Sequence, residues 1–318
     1  MHNRYCKSMN FKHLRAFVNI ADAGGFARAA TRLNLSQPAL SRQIHALEID
    51  LSVRLFDRVG RHVRLTSEGE ELLRCSRRLL AEAESLGERA RILKGGETGI
   101  LRVGATPQVI ENLLAKFLMR YRRRHPGVEI HIVEDGGVRL NSRLARGDVN
   151  LALMATGGRF ESRLLYPMHA LAAMSPKHRL GRRATLEIAD LADEPLLLLS
   201  RDFGSREWFD AACSLAHVHP RVLLESSAPH TLISLAATGY GIAIVPSNAQ
   251  VPRGAVQAAP LVHRGVSVGK WAVVAWDSER FVPPYAAQFV EEIVAHCGRT
   301  YPGRDLIRRA PRLPHPKI

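Results

Sequence analysis

The sequence predicts an α/β chain that opens with an all-α winged helix-turn-helix, continues through one long linker helix and ends in a two-lobed α/β domain. Three observations predict it. Residues 26–47 hold two short apolar-striped helices around a tight turn. Leucines recur every seven residues from Leu72 to Leu93. From Gly99 onward, strand-like and helix-like segments alternate, the mark of a largely parallel sheet. At 318 residues there is chain for two or three domains, each with its own core.

Phe11, Leu14, Phe17, Val18 and Ala21 form the apolar stripe of a first helix, which Gly24-Gly25 ends. Phe26, Ala29, Ala30 and Leu33 follow at i, i+3, i+4 and i+7, so the second helix has one buried face. Asn34 closes it. Ser36 is placed to cap a third helix, with Pro38 tolerated in its first turn. That helix turns Leu40, Ile44 and Leu47 inward and presents Gln37, Pro38, Ser41 and Arg42 outward. A short helix held at an angle by its predecessor is the shape that enters a major groove. Gln, Ser and Arg bond base edges there, and Pro38 can touch a thymine methyl. Between Leu51 and Leu65 a hairpin turns near Gly60, with Arg58, Arg61 and Arg64 on or beside it as contacts to phosphates or the minor groove.

A long helix starts at Ser67, where Ser67-Glu68-Gly69-Glu70 fits the S-x-x-E capping box, and runs without proline to about Lys94, roughly 40 Å. Leu72, Leu79, Leu86 and Leu93 make one heptad row, and Ser76, Ala83 and Ala90 stand between them. One large and one small row favour close packing against another helix, either in a second copy, making a homo-oligomer, or in the chain's own domain.

Ile100–Val103, Val128–Val133 and Val149–Met154 read as strands, separated by helices from Thr106 to about His125 and from Arg139 to Arg146. A crossing near Leu171–Met174 enters a second half. There Leu196–Leu199, Val222–Leu224 and Ile242–Val245 are strands and Trp208–Leu215 and Thr231–Ala237 helices. The chain returns near Ser267–Ala275 and ends in a helix from Pro283 to His296. Two lobes with two crossovers resemble the periplasmic-binding-protein fold, and in such sheets ligands sit at the carboxyl ends of strands. Thr106 stands there, opening a helix whose free N–H groups suit a carboxylate. Ser200, Arg201 and Phe203 follow the strand Leu196–Leu199: Arg201 could pair with an acid and Phe203 could pack on an apolar body. Gly136-Gly137 is either a close-approach point for a ligand or a plain turn.

Leu14-Arg15-Ala16-Phe17, Gly25-Phe26 through Ala29-Ala30, Leu35-Ser36-Gln37-Pro38-Ala39-Leu40-Ser41, Leu47-Glu48, Leu55-Phe56-Asp57-Arg58 and Leu65-Thr66-Ser67-Glu68-Gly69 together resemble the N-terminal pattern of the LysR-type transcriptional regulators. The match is dense over about sixty residues, and the layout fits as far as Gly298; Gly25 departs from it, since the family commonly has a Ser cap there. The resemblance implies a helix-turn-helix over residues 9–66, a dimerising helix over 67–96 and an effector-binding domain over 97–298. It leaves residues 1–8 as an extension or mis-assigned start, since Met9-Asn10-Phe11 looks like the family's usual beginning. Dimers or tetramers would bind double-stranded DNA at interrupted palindromes, a small-molecule effector would sit near Thr106, and RNA polymerase is a further candidate partner.

The formal net charge is +15. Residues 1–97 carry 17 basic against 11 acidic side chains and residues 299–318 carry six against one, so the excess is densest at the DNA-reading end and the tail. The Arg- and Pro-rich segment 299–318 reads as a disordered basic tail. No stretch reaches the ~20 apolar residues of a membrane span and residues 1–8 lack an apolar core, so a cytoplasmic protein without a membrane partner is expected. Cys6, Cys75, Cys213 and Cys297 are widely spaced, which suits reduced thiols, and His217-Val-His219 is only a weak metal cue; no metal or cofactor is expected. There is no G-x-S-x-G elbow, P-loop or G-x-G-x-x-G fingerprint, so no catalytic residue is assigned. The main reading is a DNA-binding transcriptional regulator controlled by a small, anionic metabolite between the lobes. The alternatives are a DNA-binding protein without an effector, and an α/β enzyme.

Overall fold

The computed structural model describes residues 10–59, 62–93, 98–155, 160–252 and 254–316. The chain divides into two compact units, Met1–Lys94 and Gly95–Ile318.

In the first unit, α1 (Phe11–Ala23) starts where Asn10 Oδ1 accepts from Lys12 N at 2.9 Å, and ends at Gly24 with φ 65°. Phe11 is half exposed and Val18 and Ala21 are only partly buried, while Ala16, Ile20 and Ala23 are buried, so the buried face is rotated from the one the sequence pattern places. Helix α2 (Phe26–Leu33) is closed by Asn34 in the left-handed conformation, and α3 (Gln37–Leu51) follows after two residues. Strands β1 (Phe56–Val59) and β2 (His62–Leu65) pair antiparallel as the wing, followed by α4 (Ser67–Leu93). Leu14, Phe17, Leu40, Ile44, Leu47 and Leu55 form the core. Glu48 at the end of α3 accepts from Leu55 N at 2.8 Å, which ties the wing to the helix it flanks. The cap of α4 differs from the S-x-x-E reading. Thr66 Oγ1 accepts from Gly69 N at 2.8 Å, while Ser67 lies inside the helix with its hydroxyl on Glu68. Thr66 holds that place because its hydroxyl also donates to Arg54 O at 2.7 Å. Gly69 fits only as glycine, since a Cβ there would come within 2.2 Å of Leu55 O.

The second unit begins with β3 (Gly99–Ala105) and a helical run of α5 (Pro107–Val109), a π-helical turn (Ile110–Leu114) and α6 (Ala115–Arg124). Strand β4 (Val128–Glu134), α7 (Gly137–Arg146) and β5 (Leu151–Ala155) complete a first βαβαβ set. A single long strand, β6 (Glu161–Met174), then crosses to the second lobe. The sequence shows only its last four residues as a crossing, because Pro167 and His169 interrupt the apolar pattern ahead of them. The second lobe holds β7 (Leu186–Glu187), β8 (Pro195–Leu199), α8 (Gly204–Leu215), β9 (Arg221–Ser226), α9 (Pro229–Ala237), β10 (Ile242–Pro246) and β11 (Gln257–His263). After the short β12 (Val266–Ser267), β13 (Gly269–Trp276) returns to the first lobe, where α10 (Pro284–Arg299) packs.

Strand order is β4-β3-β5-β13-β6 in the first lobe and β9-β8-β10-β6-β11 in the second, so β6 is common to both sheets. Its residues up to His169 pair with β13, and Ala170 onward pairs with β10 and β11. Phe117 and Tyr121 each pack edge to face on Phe289 in the first lobe, with ring centroids 5.1 Å apart. Leu171, Leu197, Leu232 and Val245 centre the second.

The expectation of a disordered tail over 299–318 does not hold for its described part. Ile307 and Leu313 are buried, Tyr301 stacks on Tyr166, and Ser267 Oγ donates to Pro311 O at 2.7 Å. A handful of well-spaced apolar anchors suffices to dock a segment whose composition is otherwise polar and basic.

Candidate functional site

Two surfaces stand out, one in each unit. On α3, Ser36 Oγ accepts from Ala39 N at 3.3 Å and fixes the first turn. Leu40, Ile44 and Leu47 are buried beneath it, which leaves Gln37, Pro38, Arg42 and His45 exposed and Ser41 partly so. These five share one helix face. Among the described residues Arg42 has no hydrogen-bonding or ionic partner, so its guanidinium is free for an outside acceptor. His45 was missed in the sequence, although it lies four residues beyond Ser41 on the same face. Arg64 is exposed on β2 and stands opposite Asp57 in the ladder; Arg58 pairs with Val63; Arg61 lies outside the described residues.

Along α4 the predicted leucine row divides. Leu72 packs partly buried against the unit's own core, whereas Leu79 and Leu86 are 45% and 70% exposed. Helix α4 keeps its periodicity through Leu93, whose side chain is outside the described set.

In the second unit a cavity of about 310 Å³ lies between the lobes. Thr106 lines it at the start of α5, and its hydroxyl makes no capping bond within the helix. The first turns of α7, at Gly137, and of α8, at Gly204, meet it from either side, so three helix N-termini with their positive dipole ends face one space. Phe203 and Trp208 give it an apolar wall, and Lys270 brings a cation from β13. Among the described residues Lys270 has no carboxylate partner. Gln108 Nε2, Asn141 Oδ1, Trp208 Nε1 and Asn248 Oδ1 are buried without hydrogen-bonding partners, and all four residues line the cavity.

Of the residues the sequence nominates here, Thr106, Gly137 and Phe203 line the cavity, while Gly136, Ser200 and Arg201 do not. Arg201 is exposed on the outside of the turn after β8, and Ser200 N donates to Ser226 O at 3.0 Å. The turn aims Phe203 inward, which sends Arg201 the other way. Gly136 takes part in a contact between lobes instead of a ligand contact: a Cβ there would come within 2.5 Å of Asp202 O. Val138 N donates to the same oxygen at 3.4 Å, and Arg139 pairs with the Asp202 carboxylate at 3.0 Å. Asn248 follows β10 at a carboxyl end and could have been found by the rule that nominates Thr106. Lys270 could not, since only the return of β13 beside β6 brings it to the cleft.

Burial pushes the Cys213 and Cys297 thiols up to about 12, so both stay protonated near neutrality. No group of three His, Cys, Asp or Glu that could hold a metal is found among the described residues, and no described helix is long and apolar enough to cross a membrane.

The LysR substrate binding domain family matches residues 94–298, and the bacterial regulatory helix-turn-helix protein, lysR family, matches residues 11–70. The chain is 30% identical over 289 residues to the uncharacterised HTH-type transcriptional regulator YnfL of Escherichia coli strain K12, covering 89% of this chain and 97% of that one. It is 31% identical to the HTH-type transcriptional regulator IlvR of Caulobacter vibrioides, covering 76% and 83%. Among solved structures, a full-length OxyR variant from Pseudomonas aeruginosa is similar with a TM-score of 0.68 and 25% identity, over 93% of this chain and 99% of that one. Full-length CbnR in complex with its target DNA is similar with a TM-score of 0.60 and 26% identity, over 91% and 100%.

Proposed function

This chain belongs to the LysR family of transcriptional regulators, and from that membership we propose that it reads an interrupted palindrome as a cytoplasmic dimer or tetramer under the control of a small anionic metabolite bound between its lobes. Gln37, Pro38, Ser41 and Arg42 meet base edges, with His45 beside them, and Arg58, Arg61 and Arg64 hold phosphates. Leu79 and Leu86 are too exposed for a lone helix in water, and pairing with a second copy would cover them. RNA polymerase is the partner through which a bound dimer would act on transcription.

The observation that carries the anionic ligand is Lys270. It is a cation without a carboxylate partner among the described residues, in a cavity that also holds the Thr106 hydroxyl and the unpartnered donors of Gln108 and Trp208. A carboxylate there would gain a charge-assisted hydrogen bond and a helix dipole together. Phe203 and Trp208 would cover an apolar body. The volume lies at the lower end of the usual range of about 300–1,000 Å³, which favours a small metabolite. Such a ligand switches the protein only by binding one arrangement of the lobes better than another.

The test is a footprint on the promoter beside the chain's own gene, repeated with a panel of small carboxylic acids. At least one acid changes the wild-type footprint. Thr106→Val and Lys270→Ala lose that change while keeping the acid-free footprint. Wild-type-like responses in both variants would move the pocket elsewhere.

A further inference from the structure

We propose that Tyr301 is a positioning residue of the cavity, acting through Tyr166 and the turn at Ser247–Asn248, so that the segment after α10 belongs to the binding apparatus. The ligand side of this inference rests on the reading of the cavity given above.

The family match ends at residue 298, just before this segment. Tyr301 lies parallel to Tyr166, with centroids 5.4 Å apart and planes within 7°. Tyr166 is 1% exposed and lines the cavity, and its hydroxyl accepts from Asn248 Nδ2 at 3.5 Å. Two residues on, Gly303 has φ 80° and sits so close to the Ser247 carbonyl that a Cβ would come within 1.9 Å. Only glycine meets both conditions. The same turn is held from two other sides. Ser247 N donates to His169 O at 2.8 Å, and Asn112 Nδ2 in the π-helical turn donates to Asn248 O at 3.0 Å.

The Ser247–Asn248 turn is thus clasped at its backbone by three elements, and Asn248 is steered at its side chain by Tyr166, with its Oδ1 buried on the cavity wall without a partner. Tyr301 packs on the cores of both lobes, and it backs Tyr166 in the place where solvent would otherwise stand. Further along, Ile307 docks in the second lobe and Trp271 Nε1 donates to Pro314 O at 3.0 Å. The segment is therefore anchored independently of Tyr301, so loss of one ring leaves it attached.

The test compares full-length Tyr301→Ala, Tyr301→Phe and Ile307→Ala by amide hydrogen exchange and by benzoate titration. Losing an aromatic pair should speed exchange at Ser247–Ala249 and weaken benzoate binding by about two- to tenfold in Tyr301→Ala. Tyr301→Phe keeps the stack and matches wild type in both. Ile307→Ala loosens the segment's packing on the second lobe and leaves exchange at Ser247–Ala249 unchanged. Operator binding without benzoate is the same in all four proteins. Wild-type exchange at that turn in Tyr301→Ala, or an equal effect from Ile307→Ala, would overturn the positioning role. A wild type that binds no benzoate counts against the anionic-ligand reading, and exchange alone then decides the role of Tyr301.

Discussion

The reading face of α3 draws its side chains from the consecutive stretch Gln37–His45, whereas the cavity gathers Thr106, Tyr166, Phe203, Asn248 and Lys270 from five separate parts of the chain. The first surface is convex and solvated. Its Arg42 costs nothing to keep in water, and in the proposed function its contacts form only when DNA arrives. The second is concave and largely buried, and each polar group left unpaired there costs about 1–3 kcal/mol. Substitutions on the helix face should therefore act one contact at a time and through salt-screened charge. Substitutions in the cavity should act through desolvated groups whose partners are the ligand.

The largest expected effect lies on neither surface but on the helix after the wing. Leu79→Glu or Leu86→Glu would bury an unpaired charge in a helix pair, at a cost of several kcal/mol. Sedimentation should show the dimer dissociating and operator binding falling with it, since two half-sites need two copies. An unchanged oligomer in both variants would mean that these leucines do not lie between copies.

Next come the cavity residues. Lys270→Ala should weaken binding of a small carboxylate by about 1.5–3 kcal/mol, the range for a hydrogen bond to a charged group, with acid-free operator affinity untouched. Isothermal titration measures it, and a matched loss from Arg201→Ala would contradict the outward placement of that side chain. On α3, Gln37→Ala or Arg42→Ala should cost about 1–3 kcal/mol at the specific operator and little on random DNA. Arg64→Ala should instead lower both alike and flatten the salt dependence by about one unit. Anisotropy titrations over a salt series separate the two behaviours.

The smallest effect should divide the units by pH. Burial lowers the His169 pKa from 6.5 to about 4, so folding keeps it neutral while the unfolded chain takes up a proton. Its contribution to stability is whole above pH 6.5 and is lost as pH falls towards the folded value. Between neutrality and about pH 5.5 the second unit should lose about 1 kcal/mol. Trp208, Trp271 and Trp276 all lie in that unit, so a tryptophan-fluorescence melt reads it alone. His169→Leu removes the titrating group; an undiminished acid sensitivity in that variant would assign the effect to another group.

How far each surface could be read in advance follows from the same contrast. Ser36, Leu40, Ile44 and Arg42 are fixed by helical period and a cap, both local properties, so the face of α3 and its wing were legible in order. Thr66 displaced Ser67 as the cap of α4 because its hydroxyl also reaches Arg54 O, a contact twelve residues back that no four-residue motif contains. Thr106 and Phe203 line the cavity where the strand-end rule nominates them. Arg201 follows the same strand but faces outward, since the burial of Phe203 decides which way the turn points. Lys270 depends on which strands lie side by side. Docking of the last segment depends on Tyr301, Ile307 and Leu313 meeting pockets already formed by other elements, which composition does not record.

Strand β6 is one unbroken backbone serving two sheets, with the change of partners between His169 and Ala170. The register against β13 shifts once, at Leu165, and from Tyr166 onward the side chains alternate, so what points up at the end of the first lobe fixes what points up in the second. One residue inserted at that junction would turn every later side chain of the strand inside out, sending Leu171 and Ala173 to the side now held by Ala172 and Met174. A pair of residues would preserve the alternation and lengthen the bridge by roughly 7 Å. Without a second bulge, the distance between the lobes can therefore be altered along this strand only in steps of two.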